Sequence, residues 1–193
     1  SRTLDSRLPL AVYNPSGVFS AEYMESIHDA GGFPVFDTEF FKPEQTIERI
    51  KELTKKDIVF GVRINFHDKE VISFLNENYF SNLTTVVLAY DKISHIKPDD
   101  IIMPEYRIVV ELLHVDLLDQ IAPLHPSALI VRGNEAPGKV SKFTSYILMQ
   151  WYIENSSYPV IVHGGVGQYT GAGMFAAGAS AIVLDDQLYL TDE

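Results

Sequence analysis

The stretch "PVIVHGGVGQYTGAGMFAAGASAIVLDDQL", residues 159–188, contains the fold in miniature. An apolar β-branched run (159–163) turns on a Gly-Gly pair, passes through a small-residue helix (169–180) and returns as a second apolar run (181–185) ending at Asp185 and Asp186. Neither run alternates apolar with polar residues, which is the pattern of strands covered on both faces in a parallel sheet. The unit therefore reads as strand, crossover helix, strand.

Working outward, runs of the same kind recur at 8–13, 33–36, 58–64, 84–89, 107–113 and 128–132. Helix-patterned segments separate most of them. Residues 20–32 start on Ser20 as N-cap and stop at Gly31-Gly32, and residues 42–56 hold Pro43 in the first turn and end in lysines, as the helix dipole favours. Residues 68–80 and 141–156 complete the set. The segment 91–106 reads as a loop with at most one helical turn, 114–127 as a short helix, and nothing beyond Leu190 is long enough for a helix. Eight such units predict a compact α/β fold, a (β/α)8 TIM barrel with some helices shortened or missing, below the usual size of about 250 residues. The alternative is an open doubly wound sheet, in which the glycine turn would come early in the chain.

Length and composition agree with one domain. The 193 residues are 46% hydrophobic, enough for a single sizeable core, so residues 1–193 are expected to form one barrel domain. The missing last helix and the ending "LTDE" suggest a piece excised from a larger multidomain protein. Apolar runs fall short of the roughly 20 residues that span a bilayer, and the N-terminus lacks a secretion signal, so the expectation is a cytoplasmic chain with no membrane partner. A net charge of −11 argues against nucleic acid, which is held mainly by Lys and Arg on phosphates. With no cysteine there is neither a disulfide framework nor a thiolate, and the six histidines show no metal-ligand spacing.

In a barrel, function belongs at the C-terminal ends of the strands. Asn14, Ser16, Asp37, Glu39, Asn65, His67, Asp91, Glu111, His114, Asn134, Glu135, Lys139, His163, Asp185 and Asp186 fall there, with Arg63 and Arg132 inside strands. Two clusters stand out. "VRGNEAPGKVS" (131–141) offers Asn134, Glu135 and Lys139 to a polar ligand, or else its glycines only permit unusual backbone angles while Glu135 and Lys139 pair locally. "HGGVG" (163–167) can present successive backbone N–H groups beside a helix N-terminus as an anion cradle, or be a sharp turn with no ligand.

Taken in order, "GGFPVFD", "FGVRIN", "VRGNEAPGK" and residues 159–188 resemble nitronate monooxygenases, formerly called 2-nitropropane dioxygenases, and related FMN-dependent barrel oxidoreductases. The resemblance runs from "AGGF" to "LDDQL" and is nearest to divergent copies embedded in multidomain polyketide and fatty-acid synthases. It implies a TIM barrel with FMN at the strand C-termini and its phosphate on the loops after the seventh and eighth strands. By that resemblance Gly164, Gly165 and Gly167 would hold phosphate with Arg132, Asn65 and Glu135 near the ring or ribityl chain, and Lys139 or His163 near the substrate.

Two departures cut against this. Where active members carry Glu-Ala-Gly-Gly-His, this chain reads Glu135-Ala136-Pro137-Gly138-Lys139, so the family's catalytic histidine is missing; where their eighth strand ends in Gly-Thr for the flavin phosphate, Asp185-Asp186 stand and would repel a dianion. Three readings follow. The chain is a flavin enzyme of nitronate monooxygenase or enoyl-reductase type, acting on a small or carrier-protein-bound acyl substrate. Or it is a cofactor-free barrel docked among the other domains of a synthase. Or Asp37, Glu111, Asp185 and Asp186 serve acid–base chemistry or a divalent metal.

Overall fold

A computed structural model of the chain describes residues 3–90, 103 and 105–190. Eight parallel strands follow one another around a closed barrel: β1 (Leu10–Tyr13), β2 (Phe33–Asp37), β3 (Phe60–Asn65), β4 (Leu83–Tyr90), β5 (Arg107–Leu112), β6 (Ala128–Arg132), β7 (Val160–His163) and β8 (Ala181–Leu184). Closure is made by β8 against β1, where Ala11 registers with Val183. The barrel expected from the apolar runs is the fold observed, and the open sheet is excluded.

The crossover helices are α1 (Ala21–Ala30), α2 (Pro43–Leu53), α3 (Lys69–Glu77), α4 (Leu118–Ile121), α5 (Ser145–Asn155) and α6 (Gln168–Ala176). Local chemistry sets their ends. Ser20 Oγ accepts from Tyr23 N–H at the start of α1, and Thr144 Oγ1 accepts from Ile147 N–H at the start of α5. After β5 the helix shrinks to the four residues of α4, and among the described residues β8 is followed by a 3-10 turn (Asp186–Leu190), as the weak helical patterning there anticipates. Most of the segment 91–106 lies outside the described residues, and the loop expected for it is not tested.

Strand residues alternate between two cores. One parity fills the barrel interior with Ala11, Phe33, Val35, Val87, Val109, Ala128, Ile130, Ile161, Ala181 and Val183. The other parity packs outward against the helices, for example Val62, Val86 and Leu88 against α2 and α3 residues such as Ile50 and Leu75. Continuing the inward parity to the strand ends places Tyr13, Asp37, Arg63, Glu111, Arg132, His163 and Asp185 at the C-terminal mouth. Among the described residues no helix is long and apolar enough to cross a membrane.

Candidate functional site

The mouth is filled by charge. Arg63 Nε and Nη2 both donate to Glu111 Oε1, at 3.0 and 2.7 Å, and its Nη1 donates to Asp37 Oδ1 at 3.0 Å and lies 3.3 Å from Glu39 Oε2. Arg132 Nη1 approaches the same Glu111 oxygen at 3.1 Å and Glu39 Oε2 at 3.0 Å. Glu111 is thus clasped between two guanidinium groups, all three side chains being buried. Burial alone would push the Glu111 carboxyl up, but Arg63 and Arg132 together hold it well below the usual carboxylate range.

His163 extends the network toward the barrel seam. Its Nε2 sits 2.7 Å from Asp185 Oδ2, its Nδ1 is 3.7 Å from Glu111 Oε2, and its ring packs edge-on against Tyr13 at 5.0 Å. The Tyr13 hydroxyl donates to Glu111 Oε2 at 3.5 Å, and burial, then the Glu111 charge, raise its pKa well above the ordinary tyrosine value. Asp185 therefore faces inward, whereas Asp186 turns outward and accepts from Ser16 N–H at 2.9 Å and Ser16 Oγ at 3.2 Å. That contact fastens the segment after β8 to the loop after β1.

The loop after β6 roofs this network. Asn134 N–H donates to Phe143 O at 3.0 Å, Arg132 Nη2 donates to Pro137 O, and Lys139 N–H donates to Glu39 Oε1 at 2.6 Å. Beneath it, Gly164 and Gly165 hold positive φ of 108° and 65°. A Cβ on Gly164 would stand 3.0 Å from Ala136 N, and one on Gly165 would stand 3.6 Å from Glu135 Cβ. What comes close to the glycine turn is the chain's own Glu135-Ala136. Gly165→Val is expected to lower stability by roughly 1–2 kcal/mol, the cost of forcing a side chain into the left-handed region. A thermal melt unchanged from the wild type would show that the turn tolerates other angles.

The residues singled out from sequence separate into two groups. Arg132, His163 and Asp185 come together at the mouth, with Glu111, Asp37 and Arg63. Glu135 is drawn away, accepting from Ser145 N–H at 3.0 Å at the N-terminus of α5, where a carboxylate also suits the helix dipole. Lys139 is exposed, Asn65 is half-buried at the end of β3, and Gly167 precedes α6 with its N–H bonded to Thr170 Oγ1 at 2.7 Å. Tyr13 was not among the candidates; its inward parity was the available signal. Among the described residues no group of three or more His, Asp or Glu could hold a metal ion.

These residues do not fit FMN. An anionic phosphate at the mouth would meet the inward-facing Asp185, and a flavin ring set among these side chains would have to displace the roofing loop and the pairing of Arg63 and Arg132 with Glu111. Carboxylates also outnumber cationic groups there: Asp37, Glu39, Glu111 and Asp185 surround two guanidinium groups and one imidazole, with Arg132 Nε and His163 Nδ1 left without a hydrogen-bond partner among the described residues.

No family model and no curated protein matches the sequence. Solved structures share the fold. FabK from Thermotoga maritima superposes with a TM-score of 0.81 at 19% identity, over 99% of this chain and 62% of that one. Nitroalkane oxidase from Streptomyces ansochromogenes superposes at 0.74 with 17% identity, over 93% of this chain and 65% of that one. Thiamine phosphate pyrophosphorylase from Pyrococcus furiosus superposes at 0.68 with 14% identity, over 95% and 88%. The chain thus spans less than two thirds of the length of the first two, and at these identities the likeness is one of fold. One barrel shape serves unrelated chemistries, so function must be argued from the mouth.

Proposed function

We propose that this chain is an oxidoreductase-type barrel converted into a cofactor-free structural and docking module, working among the other domains of a multidomain synthase. The observation that carries the proposal is Glu111 held between Arg63 and Arg132 beneath the loop of Pro137 and Lys139. Among the described residues most of the charged groups at the mouth are paired with one another, with Arg132 Nε and His163 Nδ1 left without a hydrogen-bond partner, which leaves little to hold a cofactor. The synthase context is supported by the sequence resemblance to copies embedded in polyketide and fatty-acid synthases.

A second reading keeps the flavin enzyme acting on a small or carrier-bound acyl substrate. It is favoured by the His163–Asp185 pair at 2.7 Å, the usual arrangement for orienting an imidazole that moves a proton, and by the names of the FabK and nitroalkane oxidase structures. Flavin titration separates the two. The purified chain is expected to be colourless and to leave FMN fluorescence unquenched at stoichiometric concentration. A yellow protein holding FMN one to one would overturn the module reading and restore the enzyme.

A further inference from the structure

The helices around the barrel differ in their outward faces. α1, α2 and α3 carry charged residues such as Glu22, Glu48, Lys51 and Glu70, whereas residues 155–184 contain no Asp, Glu, Lys or Arg in a chain of net charge −11. α6 lies wholly in that uncharged segment. Its inner side buries Gly171 and Met174. On the opposite side Tyr169, Ala172, Gly173 and Ala176 are all exposed and recur at i, i+3, i+4 and i+7, so they share one helix face.

That face has a knob and a hollow. Tyr169 is 86% exposed, and α5 adds Tyr146 at 46% and Ile147 at 49%. Between the two helices lies a hollow of about 340 Å³ whose lining includes Glu135, Tyr146, Thr170, Gly173 and Met174. Around Gly173 the space is open, since a Cβ there meets nothing within 4 Å. Exposed aromatics beside a helix that carries no charge, with Glu135 the one charged residue lining the hollow, match the composition of an interface core.

We propose that this face docks a second copy of the chain, two α6 helices packing antiparallel about a two-fold axis with each Tyr169 seated in the other's hollow beside Gly173. A two-fold interface brings one patch against itself, so the patch must hold both the projecting and the receiving feature. Tyr169 and Gly173 satisfy this, standing one turn apart on a single helix face. Charge selects the same geometry. Two copies at −11 repel wherever charged helices meet, and the face of α6 is where that repulsion is least. A different protein would have to bring its own projection to the hollow, and α6 offers no charged residue to select one. The proposal does not depend on the state of the mouth.

Sedimentation velocity of the purified chain is expected to show a concentration-dependent shift toward twice the 21.7 kDa chain mass. Tyr169→Glu and Gly173→Glu, both at exposed positions, should each abolish the shift while circular dichroism and thermal melts stay at wild-type values. Tyr79→Glu, beyond α3 on the far side of the barrel, should leave the shift intact. A wild-type chain that stays monomeric at every concentration overturns the proposal and assigns the face to a different domain. A dimer that survives both α6 variants overturns its location.

Discussion

Replacing Glu111 by Leu is expected to lower stability by about 3–5 kcal/mol, because it strands two buried guanidinium groups without their shared partner. For a domain of this size that corresponds to a fall of roughly 6–20 °C in melting temperature. The counter-experiment is the triple replacement Arg63→Met, Glu111→Leu, Arg132→Met. The triple variant no longer strands guanidinium groups but leaves Asp37 and Glu39 without their arginine partners, so it should recover part of the loss and not all of it. The three residues act as a unit, and their effects should be strongly non-additive. A Glu111→Leu protein that melts like the wild type would mean the clasp does not hold the mouth together.

The same carboxylate fixes a pH dependence. Its pKa is depressed in the folded chain, so the stability it contributes is fully present above the unfolded value of about 4.3 and is lost as pH falls through the folded value. The gap between wild type and Glu111→Leu should therefore be constant from neutral pH down to that region and close below it. Thermal melts taken down an acid series measure this. A gap that widens on acidification would reverse the sign of the linkage.

How much of this was legible in the sequence differs between barrel and mouth. Continuous apolar runs at even spacing are enough for a parallel sheet, and eight of them with intervening helices are enough for closure. The period-two alternation also marks Arg63, Glu111 and Arg132 as inward-facing, since each lies an even step along its strand from a core residue such as Gly61, Val109 or Ile130. What alternation does not reveal is pairing across strands. Glu111 and Asp37 read alongside the aspartates as acid–base or metal candidates, yet register sets Asp37 beside Arg63, Arg63 reaches Glu111 from two strands away, and Arg132 reaches it from the next strand. The roof was hidden for a similar reason: Glu39, which holds Lys139 N–H, is 100 residues away in the chain. Likewise "HGGVG" signalled a close approach without saying of what, and the answer came from another loop.

Gly133→Ala should be the second most damaging change, although Gly133 lies outside the phosphate-cradle motif. A Cβ built there would stand 2.1 Å from Ser145 N and 2.6 Å from Ser145 Cα, and 2.2 Å from Glu135 Oε2. The carboxylate can swing aside, but the backbone of Ser145 is the first turn of α5, tied down by its bonds to Glu135 and to Gly164 O. Relief requires the helix to move away from β6, and such overpacking costs about 1–3 kcal/mol and occasionally more. Gly167→Ala is the matched control, because a Cβ there meets only Thr170 Oγ1, at an ordinary 3.5 Å, and its φ of −148° suits any residue. If these glycines exist to admit a phosphate, Gly167→Ala should matter as much as Gly133→Ala and both should act through ligand affinity. If they exist for the chain's own packing, Gly133→Ala should lower the melting temperature by several degrees without ligand, and Gly167→Ala should stay within about 1 kcal/mol of wild type, the scale of exchanging one helix cap for another. Equal melting temperatures for the two variants would defeat the packing account and return the glycine turn to a bound anion.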